Sequence, residues 1–421
     1  MNRIILIGNG FDLAHGMATS YKNFIDDYWE QTIQEIKKNG AYRPFENGEI
    51  HIKRAPVYWP TGNSYKDLIN TDIDGRPITL TFKNQFLKII TEKNDIQNWV
   101  DVEDEYYRLL IESSNNRNTG IVKKLNENLR QIKQLLADYL TRIENSFSNE
   151  LNEDQKKIIS QVSRKISEPF NFNDFSEAST SKKVESESEK ILGFINEIKS
   201  GTITLDSLSY ENQRLIPKIN SDHPHKLIKK LLKSESALNY FELPPDNILY
   251  LNFNYTSTFE KLDHPYYEKF IGSSKINTNS IYIHGMLKNP DSMVFGFGDE
   301  LDEQYKIIEN LNDNAYLENI KSINYLETNS YKRLLEYING EEFQIFIFGH
   351  SCGISDRTLL NTLFEHENCA SIKVFYHKRN DGSDNYSDIV RNISRNFNDK
   401  ALMRDRVVNK NYCEPLLDIR N

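Results

Sequence analysis

Cysteine is scarce in this chain. Cys352, Cys369 and Cys413 are the three in 421 residues, and no two are spaced as a Cys-x-x-Cys pair. That pattern excludes a disulfide framework and a structural zinc site, and a reducing compartment is the plain reading. Long apolar runs are also lacking. Ile4 to Ile7 is too short for a secretory signal or a membrane span, and no later stretch reaches about 18 consecutive apolar residues. An excess of basic charge is missing as well. The formal net charge of −9 excludes a general affinity for nucleic acid or anionic membrane, although a local basic groove would still fit. No cluster of carboxylates suggests a two-metal nuclease. A soluble, cytoplasmic protein is expected, and an oligomer is left open.

What is present is a polar surface around a substantial core. The mean hydropathy is −0.63, yet 22 Phe and 23 Tyr supply ample material for burial. Such a length suits one large composite domain or two domains.

The chain opens with Ile4-Ile5-Leu6-Ile7, a β-branched run suited to a strand buried on both faces. Gly8 to Gly16 follows as a glycine turn, and Thr19 or Ser20 caps a helix through Phe24, Ile25 and Tyr28. Residues 40 to 85 read as irregular, and a helix is expected over Asp104 to Glu112. Apolar residues from Leu125 to Ile143 recur at helical spacing, predicting a long amphipathic helix from Val122 to about Asn149. Residues 174 to 190, rich in Ser, Glu and Lys, read as a loop, with a helix from about Ser188 to Ile198.

Strand patterns return near residue 246. Strands are expected over 248–252, 281–283 and 344–348, and again from Ile372 to His377, with a helix through Leu359 to Phe364 between the last two. Strands alternating with helices predict an α/β fold with a Rossmann-like parallel sheet. Residues 1–112 and 246–421 would form the composite nucleotide-binding domain, with 113–245 as a mainly helical insertion. No internal repeat is visible.

Four of these strands end in glycine or small polar residues. In an open parallel sheet, ligands bind beyond the carboxyl ends of the strands. The tips would bring together Gly8, Asn9, Gly10, Phe11, Asp12, His15, Asn252, Asn254, His284, Gly349, His350, Ser351 and Asp356. Gly8-Asn9-Gly10 could set backbone N–H groups against a phosphate, or could be a tight β-α turn. Leu13 stands where a dinucleotide fingerprint has its third glycine. Asp12 would repel phosphate, so it caps the turn, orients His15 or meets a ribose hydroxyl. His284 could serve as general base or be a satisfied core histidine. Asn254 could hold a ribose or a water. Gly349-His350-Ser351-Cys352-Gly353 echoes a nucleophile elbow, with His366 or His377 as the histidine of a serine hydrolase. Glu103 and Asp101, beside Trp99, could serve as acid or base near the site, but read first as solvated acids favouring a helix start. On these terms Gly10→Val would abolish nucleotide binding and leave the fold intact.

Several strings, taken in order, resemble the AbiH family of bacterial abortive-infection proteins. They are Ile4 to Gly16, Trp99 to Glu103, Asn252-Phe253-Asn254-Tyr255-Thr256, His284-Gly285, Phe348 to Asp356, and Asn392 to Phe397. A wider resemblance is to sirtuin-like NAD-binding domains, through Gly8 to Gly10, Phe253 to Thr256, Ile283-His284-Gly285 and Gly349-His350-Ser351. The resemblance implies anti-phage defence, NAD as ligand or substrate, and roles for Asn254 and His284 in NAD chemistry. The chain departs at Thr256, where the sirtuin-like pattern has aspartate, and it lacks the paired zinc cysteines of deacetylases. NAD glycohydrolysis is therefore expected ahead of deacetylation. The competing reading is a nucleotide-binding sensor without turnover, triggered by a phage component.

Overall fold

A computed structural model describes residues 1–56, 62–73, 76–97, 101–115, 118–149, 151–219, 224–262, 276–298 and 300–418. Trp99, part of one quoted string, lies outside them.

The centre is a five-stranded sheet, parallel throughout. Its strands are β1 (Asn2–Ile7), β2 (Asn247–Asn252), β3 (Asn277–Tyr282), β4 (Phe343–Phe348) and β5 (Cys369–Phe375), in the order β5-β4-β1-β2-β3. All six residues of β1 are buried. Ile4 and Leu6 enter the core on one face, and Ile5 and Ile7 the core on the other. β4 alternates likewise, with Phe343, Ile345 and Ile347 on the first face and Phe346 and Phe348 on the second. A strand covered on both faces needs apolar side chains at successive positions, which is why these two runs are continuous.

From β1 the sheet grows through β2 to β3, then returns across β1 to β4 and β5. The switch in direction therefore lies between β1 and β4. Ile7 is level with Asn252 on one side and Phe348 on the other, so the three carboxyl ends are flush.

The segment 113–245 supplies three cores. Helix Thr119–Asn149 packs its apolar stripe with Phe24, Trp29, Phe86 and Tyr106. Helix Glu153–Ile166 lays Ile158, Ile159, Val162 and Ile166 on the sheet beside Ile5, Tyr250 and Phe348. Helices Glu177–Lys199 and Pro224–Leu232 join Phe170, Phe172 and Phe175 around Ala370 of β5.

Four elements differ from the sequence-based expectation. The stretch read as a glycine turn from Gly8 to Gly16 turns at Gly8 and then forms a short helix, Asn9–Ala14. Residues 177–190 are helical, not a loop. Ser176 caps the helix by accepting from Ser179 N–H, and Thr180, Val184, Ser188 and Ile191 form a thin buried stripe. Serine and glutamate hide that stripe from any reading by composition. β3 begins four residues earlier than expected because it is the sheet edge, where Asn277, Thr278 and Asn279 are exposed and carry no apolar signal. Within 40–85, short strands at Phe45–Glu46, Ile50–Ile52 and Leu80–Phe82 form an antiparallel sheet.

Candidate functional site

The glycine turn sits at the switch point and is closed by the chain itself. Gly8 N–H donates to Phe348 O at 3.2 Å, Gly10 N–H to Gly349 O at 2.9 Å, and Phe11 N–H to Gly8 O at 2.8 Å. A Cβ on Gly8 would lie 2.5 Å from His350 Cα, and one on Gly10 2.7 Å from Gly349 O. These glycines thus allow two backbones to touch. Their N–H groups are occupied in this conformation, and Phe11 is fully buried beneath them. Asn9 is exposed, and its side-chain oxygen accepts from the Thr19 hydroxyl at 2.5 Å.

Asn254 and Asn252 fix the turn after β2. Asn254 Nδ2 donates to Gly8 O at 3.1 Å. Asn252 accepts from Asn254 N–H at 3.0 Å and donates to Thr256 O at 2.8 Å. Thr256 in turn donates its hydroxyl to Asp12 Oδ2 at 2.6 Å. An aspartate at 256 would set two buried carboxylates together, so the threonine suits a chain that carries Asp12.

Asp12 and His15 each keep one buried polar atom without a hydrogen-bond partner, Asp12 Oδ1 and His15 Nε2. His15 Nδ1 donates to Phe11 O at 2.8 Å. Burial pushes the His15 imidazole down to about 4, so it is neutral. Burial also pushes the Asp12 carboxyl from 3.8 up to about 6, against the Thr256 hydroxyl. A raised carboxyl holds its proton more tightly folded than unfolded. Its contribution is therefore favourable below pH 3.8 and is lost as pH rises towards 6. The isosteric Asp12→Asn variant should gain up to about 3 kcal/mol over wild type at pH 7.5. That gain should vanish near pH 4. Urea unfolding at the two pH values checks this, and equal gains at both would refute it.

The densest chemistry lies over the tips of β2, β3 and β4. His284, just after β3, donates Nδ1–H to Phe253 O at 3.1 Å. Its Nε2 lies 3.1 Å from Asp356 Oδ1 and 3.2 Å from the Tyr325 hydroxyl. His350 accepts from Cys352 N–H at Nδ1, 2.9 Å, which leaves the proton on Nε2, 3.6 Å from Asp356 Oδ2. Lys321 is completely buried and donates to Glu103 Oε2 at 2.8 Å and to Asp356 Oδ1 at 2.9 Å. Glu103 Oε1 accepts from Gly296 N–H at 3.3 Å.

Four charged or chargeable groups are therefore chained through hydrogen bonds out of water. Burial alone would raise the Asp356 carboxyl, but Lys321 and His284 hold it well below the usual carboxylate range. Burial raises Glu103 to about 7, with Lys321 opposing. Both acids share one lysine, but Asp356 also has His284, so Glu103 is the acid that takes a proton first. Burial and the Lys321 charge lower the His284 imidazole below its ordinary 6.5, against Asp356.

The elbow-like segment is arranged differently from a serine hydrolase. Ser351 is exposed, and among the described residues no histidine hydrogen-bonds its hydroxyl. The left-handed positions are Gly349 and Cys352. Ser351 O accepts from Asn392 Nδ2 at 2.8 Å, and Asn396 Nδ2 donates to Cys352 O at 2.8 Å. The 392–397 string thus clamps the segment.

The predicted tip residues do gather on one edge of the sheet, but they divide. Asn254 bonds towards β1, while His284 bonds towards Asp356. Lys321 and Tyr325 carried no sequence signal, since each sits in a polar stretch without a motif. Glu103 was legible as a helix-start acid first and as an acid or base near the site second. Asp101 does cap that helix, accepting from the N–H groups of residues 103 and 104, yet packing buries the next acid.

No helix among the described residues is long and apolar enough to cross a membrane. Comparisons with curated proteins and with solved structures gave no match. A family model described as bacteriophage abortive infection AbiH matches residues 4–199 and 202–378. That match runs from β1 through β5 and takes in every residue of the edge cluster, so the chain belongs to the AbiH family of bacteriophage abortive-infection proteins and has a role in defence against phage.

Proposed function

We propose that this chain aborts infection by hydrolysing NAD at the carboxyl edge of its sheet, in response to a phage component. The observation that carries this reading is the His284 imidazole, held between the Phe253 carbonyl and the Asp356 carboxylate at the tip of a parallel strand. Its Nδ1 is fixed by the carbonyl, and the Asp356 carboxylate beside Nε2 would stabilise the imidazolium formed when Nε2 takes a proton. Asn9 and Ser351, which follow β1 and β4 at the same edge of the sheet, are exposed, and dinucleotide phosphates and riboses would reach them there. With the glycine N–H groups occupied, the dinucleotide is gripped by those side chains and by Asn254.

The reaction balances without a co-reactant. Water attacks the anomeric carbon, and its proton passes to His284 Nε2. The bond to the pyridinium nitrogen breaks, and its electron pair leaves with neutral nicotinamide. The working imidazole is the unprotonated one, so turnover rises with pH through its pKa. Because burial and Lys321 hold that pKa below its ordinary 6.5, activity should persist to lower pH than an unperturbed histidine base would allow.

The expected results are NAD consumption and phage protection by wild type, and loss of both in His284→Ala. A protective wild type that consumes no NAD, or full protection by His284→Ala, would overturn the reading. One observation favours a sensor without turnover as the second reading: His284, His350 and Asp356 are at most 8% exposed, with Nε2 of His284 already engaged. NAD binding that stabilises the protein without being consumed would establish that alternative.

A further inference from the structure

Glu103, Lys321, Asp356 and His284 form one unbroken line of hydrogen-bonding groups, and its protons can be counted. The Phe253 carbonyl can only accept, so His284 Nδ1 carries a proton. Lys321 donates to both carboxylates and cannot accept. If His284 Nε2 is also protonated, the four charges are minus, plus, minus, plus, and they cancel. If instead Glu103 holds that proton, Lys321 and Asp356 cancel alone. A proton on Asp356 would balance the charges too, but Asp356 faces Lys321, His284 and His350 while Glu103 pairs with Lys321 alone, so Glu103 is the acid that takes it. Distributions that leave a net charge inside a buried volume are strongly disfavoured. The line therefore has two low-energy states that differ in where one proton sits.

We propose that Glu103 and Lys321 are positioning residues that set the protonation of His284, with Glu103 receiving the proton that His284 must give up before it can act as a base. The proposal rests on His284 as the working base, but its test needs no NAD. It follows that a ligand cation resting over His284 drives the proton away towards Glu103. A substrate carrying a pyridinium charge would thus select the base form of its own catalyst, and neutral nicotinamide would release it.

Each element packed here contributes a group facing His284 or its partners. Asp356 and His350 come from the stretch after β4, and Lys321 and Tyr325 from residues 321–327. Tyr255 follows β2, Asp101 and Glu103 begin helix Val102–Ser114, and Tyr21 begins helix Tyr21–Asn39. Burial, then the nearby carboxylates, push the hydroxyls of Tyr21, Tyr255 and Tyr325 well above their usual range. The tyrosines stay protonated, leaving the carboxyls and the His284 imidazole to titrate.

Hydrogen–deuterium exchange at the imidazole C2 position, followed by mass spectrometry across pH, reads the His284 midpoint directly. Glu103→Gln removes an anion from the line and should move that midpoint down. Lys321→Met removes the cation and should move it up. Opposite movements are what charge coupling requires, and a packing defect would not produce them. Unchanged midpoints, or shifts of the same sign, would overturn the proposal. Should Lys321→Met fail to fold, the nearly isosteric Glu103→Gln decides alone: a lowered midpoint supports the coupling and an unaltered one refutes it. If the midpoints move oppositely while wild type consumes no NAD, the coupling stands and the hydrolase reading fails.

Discussion

Lys321→Met should lower the unfolding free energy by about 3–5 kcal/mol at neutral pH, because it strands two carboxylates in the interior. Lys321 has no exposed surface, and both its acceptors are nine-tenths buried or more. Methionine fills a similar volume, so the loss reports charge more than cavity. The pH dependence tests the cause. In wild type the Asp356 carboxyl is held well below 3.8. Its contribution to stability is therefore present above pH 3.8 and is lost as pH falls through the lower, folded value. Without Lys321 that depression largely goes, and acid neutralises the stranded carboxylates. The deficit of the variant should be largest at pH 7–8 and should shrink towards pH 4. Urea midpoints at both pH values measure it, and a deficit independent of pH would rule out the electrostatic account. Lys124, whose pair with Glu127 is more than half exposed on both sides, is the control: Lys124→Met should change stability little.

The sheet was legible where one rule decided the sequence. β1 and β4 are covered on both faces, so apolar residues run unbroken from Ile4 to Ile7 and from Ile345 to Phe348, and the runs stand out; the buried Arg3 and Gln344 beside them are hydrogen-bonded to each other. β3 was half-read because an edge strand answers to solvent on one side. The long helix Thr119–Asn149 announced itself by its apolar stripe, but helix Glu177–Lys199 did not, since serines and a threonine occupy much of its buried line. The site was legible in the same uneven way. Residues at strand tips could be named because a parallel sheet brings its carboxyl ends together whatever the side chains are. Lys321 and Tyr325 come from neither a strand tip nor a glycine turn. They reach the edge because the chain between β3 and β4 passes over it, and Phe297 with Ile320 pins that path by a β-bridge. Such a path is set by tertiary packing, which leaves no local pattern to read. Gly8 and Gly10 show the opposite error. Their positions were found, but one motif served two physical needs, close approach to a ligand or close approach to another loop, and the sequence could not separate them.

Gly349→Ala isolates that second need. Gly349 has a φ of +71°, and a Cβ there would lie 2.1 Å from Phe11 N and 2.4 Å from Gly10 C, so backbone would have to move. The left-handed conformation costs alanine about 1 kcal/mol. Forcing the two loops apart adds about 1–3 kcal/mol. A total loss of about 2–4 kcal/mol is expected from those two terms. Gly382 gives the control: its φ is +83°, and nothing lies within 4 Å of its would-be Cβ. Gly382→Ala should therefore show the conformational cost alone. The difference between the two variants, read from urea unfolding, is the value of the contact between the β1 and β4 turns, and equal losses would mean that the contact contributes nothing. The same contact alters the expectation for Gly10→Val. A valine there meets Gly349 backbone at Cβ, before its methyl groups are placed, so the variant should lose stability as well as any ligand. Because His350 follows Gly349 and faces Asp356, widening this turn should also disturb the His284 line. Gly349→Ala should then weaken phage protection even at temperatures where the chain remains folded, whereas Gly382→Ala should protect as wild type does.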